Sequence, residues 1–159
     1  APYTDMAGPV RGYNFRGNEL FSFFPDSKNP RYGYTVAVCR GRSDKQSEIV
    51  VGNGKGLAPF VHVYDAETKK LLVDFLAYDA LFRGGISVAC GNVYGDALQE
   101  IVTGPGPGMR PRVGVFSVSG KSLVPAFDAF KTIGTPGIFV STGDIDFDGT
   151  DEIITMSDL

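Results

Sequence analysis

Three carboxylates occupy every second position from 144 to 148, near the C-terminal end of the sequence. A glycine at 149 allows a turn, and a fourth carboxylate follows at 152. Side chains at this spacing in a turned loop point to one spot, where unpaired carboxylates would repel one another. A hard divalent cation removes that repulsion, and Ca²⁺ prefers sites made of oxygen ligands. The alternative is a solvated Asx-rich turn without metal. The predicted ligands are four carboxylates and one backbone carbonyl: Asp144, Asp146, Asp148, Glu152 and Thr150.

The residues around this loop predict strands rather than helices. An EF-hand needs a bidentate Glu at loop position twelve, and Thr155 stands there instead. The β-branched run "EIITM" follows the loop where an EF-hand would begin a helix. We therefore expect the loop to connect two β-strands.

The loop belongs to a repeat with a period of 52 residues. Segments 31–51, 83–103 and 135–155 align without a gap. A period of this length indicates a solenoid, a propeller or an array. The coinciding positions include valines, isoleucines, acids and glycines: Val36, Val88, Val140; Ile49, Ile101, Ile153; Asp44, Asp96, Asp148; Glu48, Glu100, Glu152; Gly33, Gly85, Gly137. The valines and isoleucines are predicted to be buried.

The rest of the chain fits the same register. Residues 10–20 resemble 113–123, the second half of a repeat, and the sequence ends with the first half of one. We therefore expect a single repeat domain of two complete units and two complementary halves. The predicted segments are 1–20 (second half), 21–71, 72–123 and 124–159 (first half).

Each repeat reads as four strands, because short alternating runs are bounded by Gly, Pro, Asp and Asn. In the first repeat these strands are predicted near 34–40, 47–52, 59–65 and 70–76. A four-stranded antiparallel unit repeated around an axis is a propeller blade. The predicted fold is all-β, with about three blades per chain and one blade divided between the termini.

The repeats resemble FG-GAP/VCBS-type repeats, the calcium-loop propeller blades also found in integrin α-chain heads. The D-x-D-x-D-G loop, the "TGPGPG" turn at 103–108, the strand 61–65 and the aromatic run 75–79 carry this resemblance. Only the third repeat has the full loop. The second is a weaker candidate metal site, and its equivalent residues are Asn92, Tyr94, Asp96 and Glu100. In the first, Arg40 and Arg42 replace two carboxylates, so we expect no metal there.

Composition excludes several classes of protein. The net charge is −3, which gives no electrostatic reason to bind nucleic acid. No apolar run is long enough to span a membrane. The start "APYTD" is what signal cleavage would leave, and Ca²⁺ loops suit millimolar external Ca²⁺. We therefore expect an extracellular, secreted or periplasmic protein.

The two cysteines are predicted to be free, buried thiols. Cys39 aligns with Gly91, and Cys90 aligns with Val38. The cysteines thus stand one position apart in the repeat, and successive strand positions point to opposite faces.

Three functions remain open from the sequence, and none is enzymatic, because no acid/base or nucleophile constellation is visible. The FG-GAP resemblance implies a calcium-binding module for adhesion or binding. The divided blade suggests a structural protein that assembles head to tail, as a ring or a filament. A glycan-binding lectin is the third alternative. The expected partners are other copies of the chain or further blades of a longer one, with a protein or glycan ligand.

Overall fold

The computed structural model describes residues 8–25, 33–43, 46–131 and 134–158. This part of the chain contains twelve strands and no helix long and apolar enough to cross a membrane. The strands are β1 (Val10–Tyr13), β2 (Glu19–Phe23), β3 (Tyr34–Ser43), β4 (Gln46–Asn53), β5 (Phe60–Asp65), β6 (Leu71–Leu76), β7 (Ile86–Gly91), β8 (Glu100–Pro105), β9 (Arg112–Phe116), β10 (Phe127–Asp128), β11 (Gly137–Gly143) and β12 (Glu152–Asp158).

The strands form two four-stranded antiparallel sheets and two hairpins. Strands β3 to β6 make the first blade in chain order, and β7 to β10 make the second. The N-terminal hairpin is β1–β2, and the C-terminal hairpin is β11–β12. The prediction of an all-β chain with propeller-like four-stranded blades is confirmed. The strands of these two sheets lie within residues 34–76 and 86–128. Both sheets therefore end after the ends of the predicted segments, residues 71 and 123.

The four units pack in chain order, and a hydrophobic cluster fills each interface. The first cluster lies between the N-terminal hairpin and the first blade, where Phe21 and Phe23 contact Tyr64 and its neighbours. A second cluster, which includes Val50 and Ile101, joins the two blades. A third, which includes Val102 and Ile138, joins the second blade to the C-terminal hairpin. Each blade therefore packs against a neighbouring unit on both faces, the first blade's backward face only in part.

This packing on both faces explains why apolar residues follow one another at 49–51 of β4 and 101–102 of β8 instead of alternating with polar ones. Ile49 and Val51 of β4 pack toward the N-terminal hairpin, and Val50 between them packs toward the second blade. In β8, Ile101 packs toward the first blade and Val102 toward the C-terminal hairpin. All five side chains are buried.

The first strands of neighbouring units lie against one another with opposite faces in contact. We call the face toward the next unit the forward face and the opposite one the backward face. Thr35 of β3 points forward and donates a hydrogen bond to the carbonyl of Ile86, with 2.8 Å between the oxygens. Thr142 of β11 points backward and donates to the carbonyl of Cys90 at 2.6 Å.

The prediction of free thiols is wrong, because Cys39 and Cys90 form a disulfide with their Cα atoms 5.3 Å apart. The prediction treated the two cysteines as neighbours in one sheet, where side chains one position apart in the repeat would point to opposite faces. Cys39 lies on the forward face of the first blade, and Cys90 lies on the backward face of the second. Because these two opposite faces meet, an offset of one position brings the side chains together.

The predicted core positions are mostly confirmed, with two differences. Val88, Val140, Ile49 and Ile101 are buried. Ile153 is only half-buried, and Val36 is 47% exposed. Val36 points to the backward face of the first blade, and the described N-terminal hairpin leaves this part of the face uncovered.

Candidate functional site

The candidate site is the loop that joins β11 to β12. These strands pair along their length, and Gly143 opposite Glu152 is the pair nearest the loop. The loop therefore leaves the hairpin at a fixed point and must turn back within eight residues. Two of them adopt left-handed backbone conformations, Phe147 with φ of 64° and Gly149 with φ of 91°.

Three of the predicted ligands come together in this loop. Carboxylate oxygens of Asp144, Asp146 and Glu152 lie within 4.8 Å of one another. Ca²⁺ binds oxygen at 2.3–2.6 Å, so ligands on opposite sides of the ion are roughly 4.6–5.2 Å apart. Oxygens at this spacing, from side chains that are half-buried or exposed, could hold one metal ion.

The same carboxylates also organise the loop backbone. Asp144 accepts hydrogen bonds from the backbone N–H groups of Gly149, at 3.0 Å, and Asp148, at 3.2 Å. Glu152 accepts one from Ile145 at 2.9 Å. These bonds hold the acids near one another against their mutual repulsion. A bound cation would share oxygens that the loop already positions.

Asp148 and Thr150 have a different place from the one predicted. Asp148 accepts a hydrogen bond from the Thr150 N–H at 2.8 Å, which closes an Asx turn. Asp148 is exposed and lies outside the group of three converging acids. The structure therefore assigns Asp148 and Thr150 to the turn, and their role as ligands stays a prediction.

The second loop, between β7 and β8, uses its predicted ligands in local hydrogen bonds. Asn92 accepts from Gly95 at 3.0 Å, and Asp96 accepts from Leu98 at 3.1 Å. Glu100 accepts from the Tyr94 N–H at 3.0 Å, and the Tyr94 ring is exposed. Burial raises the pKa of the Glu100 carboxyl above its ordinary value. Across the described residues, the converging acids are those of the third loop alone.

A structural role of the repeated glutamate was not predicted. In each repeat this residue accepts a backbone hydrogen bond from a residue six or seven positions before it. Glu48 accepts from Gly41 at 3.2 Å, as Glu100 and Glu152 do in their loops. The signal was in the sequence, because the first loop retains Glu48 although Arg40 and Arg42 replace two of its acids. The glutamate therefore closes the loop whether or not a metal binds.

Hydrogen bonds between neighbouring loops were also missed. The Asn92 N–H donates to the Asp151 carboxylate at 2.7 Å, and the Asp151 N–H donates to the Asn92 carbonyl at 2.9 Å. Arg40 and Gln99, one repeat earlier, make the same pair of bonds at 2.9 and 3.2 Å. The acidic loop is thus fixed to the second blade as well as to its own hairpin.

A cavity of about 180 Å³ is a second candidate site, and it lies where β3, β7 and β11 begin. Glycines, together with Tyr34, Ile86 and Ile138, form much of its wall. Lys55 is the only charged group among the described lining residues. Because the acidic loop concentrates more charge in a defined geometry, it is the stronger candidate. No protein-family model matches the chain, and no curated protein or solved structure matches it.

Proposed function

We propose that this protein is a non-catalytic, Ca²⁺-binding module of the β-propeller type that acts by binding or adhesion outside the cell. The observation that carries the proposal is the convergence of Asp144, Asp146 and Glu152 within 4.8 Å. Aspartate and glutamate oxygens are the ligands that Ca²⁺ prefers. The FG-GAP resemblance of the repeats supports the adhesion or binding role.

Calcium would be structural in this module. Asp144, Asp146 and Glu152 would hold the ion, whose charge would cancel the repulsion among them. Because Asp151 of the same loop is hydrogen-bonded to Asn92, a fixed loop would also strengthen the contact between the C-terminal hairpin and the second blade. The ion would thus stabilise the packing of the C-terminal hairpin on the second blade.

The disulfide supports the proposed location. Bonds such as Cys39–Cys90 persist in oxidising compartments and are rare in the cytosol. Millimolar Ca²⁺ outside cells would fill even a weak site. A secreted or periplasmic protein would meet both conditions.

Calcium binding can be tested by isothermal titration calorimetry on the wild type and two matched variants. Asp146 and Asp96 are both exposed, and each accepts a backbone hydrogen bond from the residue two positions later. We expect wild type and Asp96→Asn to bind one Ca²⁺ with equal affinity, and Asp146→Asn to bind at least tenfold more weakly. Calcium at a hundred times its Kd should stabilise the wild type by about 2.7 kcal/mol.

Two results would contradict the proposal. The wild type could show neither a heat of binding nor a gain in melting temperature when Ca²⁺ is added. Alternatively, Asp96→Asn could weaken binding as much as Asp146→Asn does, which would show that the third loop is not the specific site of the ion.

A further inference from the structure

The two hairpins are complementary halves of one blade. In both complete blades the second strand pairs with the third, β4 with β5 and β8 with β9. By its repeat position β12 is a second strand, and β1 is a third strand. Within the described strands, β1 and β12 belong to separate sheets, and each leaves one edge without a strand neighbour.

We propose that β12 of one molecule pairs with β1 of a second copy, and that two copies close into a ring of six blades. This inference goes beyond the proposed function and rests on the strands, not on the calcium loop. Unpaired strand edges are templates for pairing with another chain. Propellers contain four to eight blades, so two chains of three blades lie within this range.

A second copy is the natural partner, because the hairpins lie at opposite ends of the stack. The N-terminal hairpin packs on the first blade, and the C-terminal hairpin packs on the second. Two four-stranded sheets therefore separate β1 from β12 within one molecule. A contact between unlike ends of identical chains forms a closed ring when its rotation returns to the start.

The complete blades define the register of the new pair. In the second blade Ile101 lies opposite Phe116, and Val102 opposite Val115. Moved by one repeat, this register places Ile153 opposite Tyr13 and Ile154 opposite Gly12 of the second copy. The first blade gives the same register, since Ile49 lies opposite Tyr64.

The exposed apolar residues also mark the interface. Val36 and Val38, on the backward face of the first blade, are 47% and 62% exposed, and Ile154 of the C-terminal hairpin is 45% exposed. The residues one repeat away, Val88 and Val102, are buried at interfaces within the chain. The proposed contact would cover the C-terminal hairpin and the first blade in the same way.

The native disulfide supplies a geometric test of this contact. Cys39 on a forward face meets Cys90 on the next backward face. One repeat later the same places belong to Gly91 and Thr142, where a Cβ on Gly91 would touch the Thr142 side chain. One more repeat along the ring, the equivalent positions are Gly143 of one molecule and Val38 of the second copy. A Cβ added to Gly143 meets no atom within 4 Å.

The experiment compares Val38→Cys/Gly143→Cys with a control pair, Val38→Cys/Ser119→Cys, under mild oxidation. Ser119 is an exposed residue in the turn after β9. We expect the first pair to form a covalent dimer of two 17.0 kDa chains in non-reducing electrophoresis, joined by a 38–143 bond in peptide mass spectrometry. The control pair should stay largely monomeric.

Sedimentation of the wild type and of charge variants gives an independent readout. The wild type should sediment as a dimer at micromolar concentration. Val38→Asp should convert it to a monomer, whereas Leu81→Asp, at a position 83% exposed, should leave the dimer intact. A monomeric wild type, or 38–143 cross-linking no greater than that of the control, would overturn the proposal. A ladder of longer covalent species would overturn ring closure.

Discussion

Two loop residues adopt a backbone conformation that side chains disfavour. Ala97 has φ of 66° at the position where the third repeat has Gly149. Phe147 has φ of 64° at the position where the second repeat has Gly95. Both loops therefore need two left-handed residues, and each has glycine at only one. The left-handed region costs a residue with a Cβ roughly 1–2 kcal/mol.

We predict that Ala97→Gly raises the free energy of unfolding by about 0.5–1 kcal/mol, because glycine removes this strain at a smaller cost in chain entropy. Chemical denaturation measures the change. Ala80→Gly is the control, since Ala80 is exposed and is not among the residues with positive φ. It should be slightly destabilising, and a similar loss for Ala97→Gly would show that the loop is not strained.

At this scale, the spacing of the acids identified most of the converging group. Asp144 and Asp146 of the alternating run converge with Glu152, which follows the turn. Asp148 does not, because its own backbone neighbourhood offers the Thr150 N–H as a nearer partner. The cysteine pairing was missed because it depends on how two sheets face one another, which the residue pattern within one sheet does not contain.

Among the elements, the second strand of each blade contributes most to the core. Ile101 of β8 is fully buried between the two blades. We predict that Ile101→Ala lowers the free energy of unfolding by roughly 2–5 kcal/mol, through lost burial and the cavity left behind. Denaturant titration with the disulfide intact tests this. Leu81→Ala is the control at a position 83% exposed. A loss below about 0.5 kcal/mol for Ile101→Ala would be incompatible with its place in the core.

Strands were predictable from the sequence to within a few residues. In the first blade, predicted segments 59–65 and 70–76 correspond to Phe60–Asp65 and Leu71–Leu76. The last strand of the second blade is only Phe127–Asp128. Pro125 lies just before it and has no N–H to donate to a neighbouring strand. The length of this strand depends on which backbone groups can pair with the neighbouring strand. The spacing of apolar residues in the sequence does not show this.

For the whole molecule, the disulfide ties the first blade to the second. It closes a segment with a sequence separation of 51, and the chain-entropy relation gives about 4 kcal/mol for a loop of that length. We predict that Cys39→Ala/Cys90→Ala loses stability of this order in denaturant unfolding. Reducing the wild type with a thiol is the control and should cause a similar loss. If neither change shifts the unfolding midpoint, the disulfide does not constrain the unfolded chain.

The grouping of the strands into two four-stranded sheets and two hairpins was predictable from the sequence, because a period of 52 residues leaves two complete units and two halves. The partner of each half-blade was not. The repeat position of a strand with a free edge indicates which strand can pair with it. Whether that strand comes from the same chain or from another molecule depends on the geometry of ring closure and on protein concentration.

Mechanical tension reveals a further consequence of the Cys39–Cys90 bond. A pulling force that enters the chain before Cys39 and leaves after Cys90 passes through the sulfur atoms and bypasses the segment between them. That segment contains all of β4, β5 and β6. Fully extended, it would span roughly 170–180 Å. In a module held under tension between two surfaces, this segment could extend only after a reductant had opened the disulfide.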